Sequence, residues 1–208
     1  LMYSPLKKLS RVHANIQQAI AASQRIFELM DMQTEVPDLP GVPRLAPLRN
    51  GIEFRDVTFE YEDGRGRTAL GGVSFVVRAG QTVAVVGRSG SGKTSLVNLL
   101  PRFYDPSEGA ILIDGVDIRR VSLASLREQI GMVTQETVLF DDTVASNIAY
   151  GRPGASPSES EAAARAARAH EFVSAMPARY QTKIGERGQR LSGGQQQRLA
   201  IARAILKN

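Results

Sequence analysis

The sequence contains no cysteine, no tryptophan and only two histidines in 208 residues. Without cysteine there is no disulfide framework and no thiolate metal site. The histidines, His13 and His170, stand far apart and form no ligand cluster for zinc. No uninterrupted apolar run approaches the roughly 20 residues that span a bilayer, and the start lacks a signal-peptide pattern. As it stands the text reads as soluble, and a first residue of Leu1 instead of Met implies text upstream. The excess of positive charge, +5, is small and its Lys and Arg form no run, which points to a solvated surface and not to a nucleic-acid partner. A hydrophobic share of 42% suffices for one sizeable core and one main domain.

What the sequence has is glycine in a particular order. Gly87 to Thr94 reads Gly-Arg-Ser-Gly-Ser-Gly-Lys-Thr and satisfies the phosphate-loop pattern G-x-x-x-x-G-K-[ST]. Four fixed positions of this kind recur by chance in roughly one chain of this length in a hundred. The β-branched run Thr82–Val86 before it predicts a buried parallel strand, and Ser95–Leu100 after it predicts a helix stopped by Pro101. Gly87, Gly90 and Gly92 free the backbone to aim its N–H groups at an anion, and the helix N-terminus adds its dipole. Lys93 then reaches the β and γ phosphates, and the Thr94 hydroxyl takes one position on Mg²⁺.

Elsewhere the chain divides plainly. Tyr3–Met32 predicts one long helix with Leu6, Leu9, Val12, Ile16, Ile20, Phe27 and Met30 near one side, and His13 as an ordinary surface residue. Prolines from residue 35 to Pro47 mark a linker. Ile52–Tyr61 alternates like a strand, Gly64–Gly66 reads as a turn, and Val73–Val77 as a second strand. Ala110–Ile118 predicts a hairpin about Asp114-Gly115, in which turn chemistry accounts for Asp114 and solvent exposure for Asp117. Ser122–Gln129 is a short helix, and Ile130–Thr134 is a strand ending in Gln135. Thr143–Tyr150 and the alanine-rich Ser158–Ala169 predict a helical insertion, with His170 at a helix end. Ser192 and Gln195 stand in the S-x-x-Q relation of a capping box that opens a last helix through Leu206.

The order Gly87–Thr94, then Gln135, then Leu191-Ser192-Gly193-Gly194-Gln195 resembles the ATP-binding cassette (ABC) superfamily. Further stretches resemble its exporter branch, the half-transporters that include bacterial lipid flippases and multidrug exporters. These are Tyr61, Thr182–Gly188, Gln135–Phe140 with Thr143–Tyr150, and Lys7–Asp31, which is similar to the cytosolic end of the last transmembrane helix. The resemblance implies an α/β P-loop NTPase fold (RecA-like core) with an antiparallel β subdomain and a helical signature subdomain, preceded by a long N-terminal helix. It divides the chain into residues 1–34 as that helix end, 35–50 as linker and 51–208 as the nucleotide-binding domain, with the helical subdomain at about 140–200.

The same resemblance assigns the site. ATP is held by Tyr61, stacked on adenine, by Gly87, Arg88, Ser89, Gly90, Ser91, Gly92, Lys93, Thr94 and Ser95, and by Gln135. Ser192, Gly193, Gly194 and Gln195 complete the site from a second nucleotide-binding domain, expected to be an identical copy joined head to tail. Lys93 and Gln135 take the catalytic roles, and Thr94 and Gln135 hold Mg²⁺. The implied function is ATP hydrolysis that powers export of a lipid, drug or other amphipathic substrate, through transmembrane domains of the same chain, on the cytoplasmic side of the inner membrane. The family carries a Mg²⁺-binding Asp, a water-polarising Glu and a switch His after the signature helix. The text ends at Asn208, before all three, so the expectation is little hydrolysis and poor stability for this stretch alone. The alternatives are a soluble ABC ATPase switch in DNA repair or translation, and a nucleotide binder without hydrolysis.

Overall fold

One helix, α1 (Tyr3–Asp31), dominates the first of two units, residues 1–37 and 38–208. The structure is a computed structural model and describes residues 3–31, 36, 38, 40–61 and 68–207. Pro5 falls in the first turn of α1, where a missing N–H costs nothing. Val12, Ile16, Ile20, Phe27 and Met30 of the expected stripe are exposed, and so is His13. The side chains of Leu6 and Leu9 lie outside the described residues. Among the described residues, no helix is long and apolar enough to cross a membrane.

The second unit starts from a four-stranded antiparallel sheet of order β2-β1-β3-β4. Its strands are β1 (Gly51–Glu60), β2 (Thr68–Arg78), β3 (Glu108–Ile113) and β4 (Val116–Asp117). The expected turn at Gly64–Gly66 lies outside the described residues. Phe54 and Val57 are three apart, so strict alternation would send them to opposite faces. A register shift between them, with Asp56 at φ 46°, inserts the extra residue and buries both. Phe54 stacks on its cross-strand partner Phe75 at 4.5 Å. Helices α2 (Lys93–Leu99) and α3 (Leu123–Glu128) close this core with Leu96, Leu99, Leu123 and Leu126.

The turn between β3 and β4 has Asp114 at φ 50° and Gly115 at φ 82°, the two-residue hairpin that Asp-Gly favours. The Asp114 carboxylate also accepts the N–H groups of Arg49, Asn50 and Gly51 at 2.7, 2.7 and 2.8 Å. Asp117 departs from the expectation of simple solvent exposure. Its carboxylate accepts the Arg119 N–H at 2.9 Å and pairs with the Arg119 guanidinium at 2.7 Å, because a 3-10 turn at Ile118–Arg120 begins there and needs a cap. The expected linker is, over residues 43–48, a strap bonded to α3. Ser122 donates to the Pro43 carbonyl, Leu45 N–H to Ser125 Oγ, and Leu48 N–H to Gln129 Oε1.

A separate core belongs to α4 (Val144–Ala149), α5 (Pro157–Ala166), α6 (His170–Ser174) and α7 (Gly193–Lys207). Ala163, Ala164 and Ala202 are buried in it, and such small residues let helices approach closely. Both α4 and α5 start at side-chain caps, Thr143 and Ser156, the latter in a full capping box with Glu159. His170 opens α6 and bonds Tyr180 through Nδ1 at 2.9 Å. Arg203 of α7 donates to the carbonyls of Asn147 and Val138 at 2.9 and 2.8 Å. Its cation also lies 5.6 Å from the Phe140 ring and 5.4 Å from the Tyr150 ring.

Two expected strands are not formed. Residues 81–87 and 130–134 have no regular structure, and Val83, Val85 and Val86 are exposed, Val86 to 87%. A parallel strand is stable only when neighbours accept its hydrogen bonds on both sides. Among the described residues, neither segment has a ladder partner.

In the 208-residue polypeptide, the amides of Thr82–Val86 will therefore exchange with solvent far faster than those of Phe54 and Ile111. Hydrogen exchange by mass spectrometry checks this, and equal protection of the two sets contradicts it. A second expectation concerns acid. Hydrogen bonds from the backbone N–H groups of Gly51 and Arg49 hold the Asp114 carboxyl below its ordinary range. A depressed folded-state pKa stabilises the fold above the unfolded value, about 3.9, and the gain is lost as pH falls through the folded value. Asp114→Asn will flatten the acid limb of a stability-versus-pH curve measured by denaturant midpoints.

Candidate nucleotide-binding site

The glycine loop leads directly into α2. Gly90 and Gly92 have φ of 78° and 83°, and the Ser91 N–H donates to the Arg88 carbonyl at 3.2 Å, which curls the loop. The Leu96 N–H donates to the Gly92 carbonyl at 2.8 Å and opens the helix. Glycine is required at 92 on two counts. Its φ is left-handed, and a Cβ there would lie 2.3 Å from the Ala69 carbonyl oxygen and 2.9 Å from a Leu70 methyl. A Cβ at Gly87 would meet Ser91 Oγ at 2.5 Å. The loop is thus pressed against the start of β2.

That approach forms a cleft of about 430 Å³ lined by Tyr61, Thr68, Ser89, Gly90, Lys93 and Thr94, together with Ala69, Gly92 and Ser95. Lys93 is the one cation among these lining residues, and its ammonium curls back to donate to the Gly87 and Arg88 carbonyls at 3.0 and 2.7 Å. Those are neutral acceptors, which a phosphate would outcompete because its oxygens carry full negative charge toward the ammonium. Tyr61 is half-buried and also lines the cleft. Its ring meets Phe59 at 4.7 Å and Tyr104 at 5.3 Å, both edge to face, and its hydroxyl lies 2.9 Å from Ser95 Oγ. Tyr61 and the loop are therefore brought together, as the sequence suggests. Gly87, Arg88 and Ser91 shape the loop without lining the cleft.

Gln135 is exposed on an irregular segment and does not line the cleft. The strand expected to end in it is not formed. Ser192–Gln195 do not line the cleft either. They begin α7, where Ser192 N–H donates to Gln195 Oε1 at 2.9 Å and Gln195 N–H to Ser192 Oγ at 3.4 Å, the reciprocal capping box expected from the text. Ser192, Gly193 and Gly194 are exposed. A Cβ at Gly193 or Gly194 would meet nothing within 4 Å, and neither has a positive φ. Nothing described inside the chain demands glycine at these positions. Their bareness leaves the helix N-terminus open to something outside.

Three residues at the cleft escaped the sequence reading. Thr68 and Ala69 line it because the β1–β2 register sets Glu60 opposite Thr68, a pairing that no local signal announces. Tyr104 buttresses Tyr61 from beyond α2, and only its aromatic character shortly after the loop helix hinted at it.

Comparison with known proteins bears on the family of the chain. The ABC transporter family profile matches residues 70–208. An ATP-dependent lipid A-core flippase of Syntrophus aciditrophicus is 51% identical over 208 residues, all of this chain and 34% of that protein. Human ATP-binding cassette sub-family B member 6 is 50% identical over 206 residues, 99% of this chain and 24% of that protein. A solved structure of a bacterial Atm1-family ABC exporter with ATP bound superposes with a TM-score of 0.87 at 48% identity, over 99% of this chain and 36% of that one. The chain thus spans about a third or less of the length of these relatives. Loop, cleft, signature helix and family match converge on one conclusion: the chain belongs to the ABC transporter family and has its P-loop NTPase fold, a mixed α/β fold with an antiparallel sheet.

Proposed function

We propose that this chain is the nucleotide-binding part of an exporter, which binds and hydrolyses ATP to drive an amphipathic substrate, such as a lipid or drug, through a membrane. The observation that carries this reading is the convergence on one cleft of Lys93, Thr94, the glycine loop and the Tyr61 ring. Two of the proteins named above, the lipid A-core flippase and the Atm1-family exporter, are transporters by name, which favours transport over a soluble switch in DNA repair or translation.

In this reading Tyr61 stacks on adenine, and the amides of residues 87 to 95 cradle the phosphates. Lys93 exchanges the Gly87 and Arg88 carbonyls for β and γ phosphate oxygens. Thr94, on the cleft wall beside Lys93, offers the hard oxygen that Mg²⁺ accepts, and the ion's remaining positions suit phosphate oxygens and water. Mg²⁺ when bound supplies neutralisation of phosphate charge. Gln135 is assigned a second Mg²⁺ contact and a catalytic contact, which require its segment to move to the cleft. Ser192, Gly193, Gly194 and Gln195 serve the cleft of a second, identical copy joined head to tail, and the exposed glycines of α7 supply the closeness such a joint needs. Transmembrane domains of the same polypeptide, continuous with residues 1–34, transmit closure to the substrate. The domain then works on the cytoplasmic side of the inner membrane.

The test is a titration of ATP and of inorganic triphosphate against the full-length protein. Lys93→Ala will weaken both ligands by roughly 10- to 100-fold, the worth of lost charge-assisted hydrogen bonds. Tyr61→Ala will weaken ATP by at least about tenfold, the worth of one aromatic–base stack, and weaken triphosphate much less. Equal affinities of wild type and Lys93→Ala refute the assignment.

A further inference from the structure

Ser95 faces two ways. It is 7% exposed and packed beneath the loop, yet it lines the cleft beside Thr94. Its Oγ lies 2.9 Å from the Tyr61 hydroxyl. The Tyr61 ring is thus held by three contacts, edge to face against Phe59 and Tyr104 and, at its tip, by the helix that carries Lys93 and Thr94. For a residue whose task is to present a ring face, the tip contact is the informative one, because stacking alone needs no hydroxyl.

A serine hydroxyl has one proton and two lone pairs. When Ser95 donates its proton to an anion in the cleft, it has only acceptor capacity left for Tyr61, whose hydroxyl must then donate. The result is a directed chain from Tyr61 O–H to Ser95 O–H to a phosphate oxygen, in which each bond polarises the next. Bound phosphate therefore tightens the grip on the Tyr61 tip, and a ring held in place binds a base at lower ordering cost.

We propose that Ser95 is a positioning residue that couples the Tyr61 ring to the phosphate loop, so that base and phosphate are read as one ligand. The proposal deepens the ATP-binding reading above and rests on it. It assigns part of the ATP affinity to the Tyr61 hydroxyl itself, which a mere stacking platform would not use.

The experiment measures the Kd of ATP and of inorganic triphosphate for the full-length protein in lipid nanodiscs by calorimetry. Tyr61→Phe keeps the ring and its packing and removes only the hydroxyl. It will raise the ATP Kd about three- to tenfold, the worth of one neutral hydrogen bond, and will raise the triphosphate Kd as well, by roughly twofold or more, because the coupling of Tyr61 to bound phosphate is reciprocal. Ser95→Ala will weaken both ligands, and adding Tyr61→Phe to it will cost ATP nothing more. Ser95→Thr, which retains a hydroxyl, will restore wild-type affinity for ATP. A Tyr61→Phe variant with the wild-type ATP Kd, or additive losses in the double variant, overturns the coupling while leaving the nucleotide site intact. Failure of the wild type to bind either ligand overturns the nucleotide reading, and the coupling with it.

Discussion

The close approach of Gly92 to the first residues of β2 is the constraint on which the site depends. A side chain at that position would overlap the Ala69 carbonyl, so the loop and the sheet can share a wall only with glycine there. Through this contact the antiparallel sheet brings Thr68 and Ala69 into the cleft wall. Leu70 next to it is buried in the same core as Leu96 and Leu99 of α2. Core packing of Leu70 against α2 therefore holds the helix that follows the loop against β2.

The helical part obeys a different logic. Its core relies on alanines, which leave little side-chain volume between α5 and α7, and on Arg203, a half-buried cation with carbonyl and aromatic partners. Burial lowers the Arg203 pKa, yet carbonyl dipoles and ring faces keep the guanidinium solvated by protein. The effect is to tie residues 138–150 to the helix that begins at Gly193.

How much was legible depended on range. The Ser192 cap, written in its S-x-x-Q spacing, is formed, and the caps at Ser122, Thr143 and Ser156, which were missed, rest on equally local spacing. The Asp114-Gly115 turn was equally local. Thr82–Val86 has the composition of a buried strand, but composition reports only that a segment suits a pleated, two-sided burial. Pairing is a property of neighbours, and the described residues contain none for it. Asp117 was misjudged because its partner Arg119 becomes available only once the chain turns into a 3-10 helix.

The sequence by itself determined the glycine loop that opens α2, the Ser192 cap, the Asp114-Gly115 turn and the motifs whose order marks the ABC family, because each of these is written within a few positions. Only the tertiary structure decided that Thr68 and Ala69 wall the cleft, that the Tyr61 hydroxyl rests on Ser95, and that Gln135 stands apart from it. Those outcomes depend on register and packing between segments tens of residues apart, where one added methyl at Gly92 would be enough to part them.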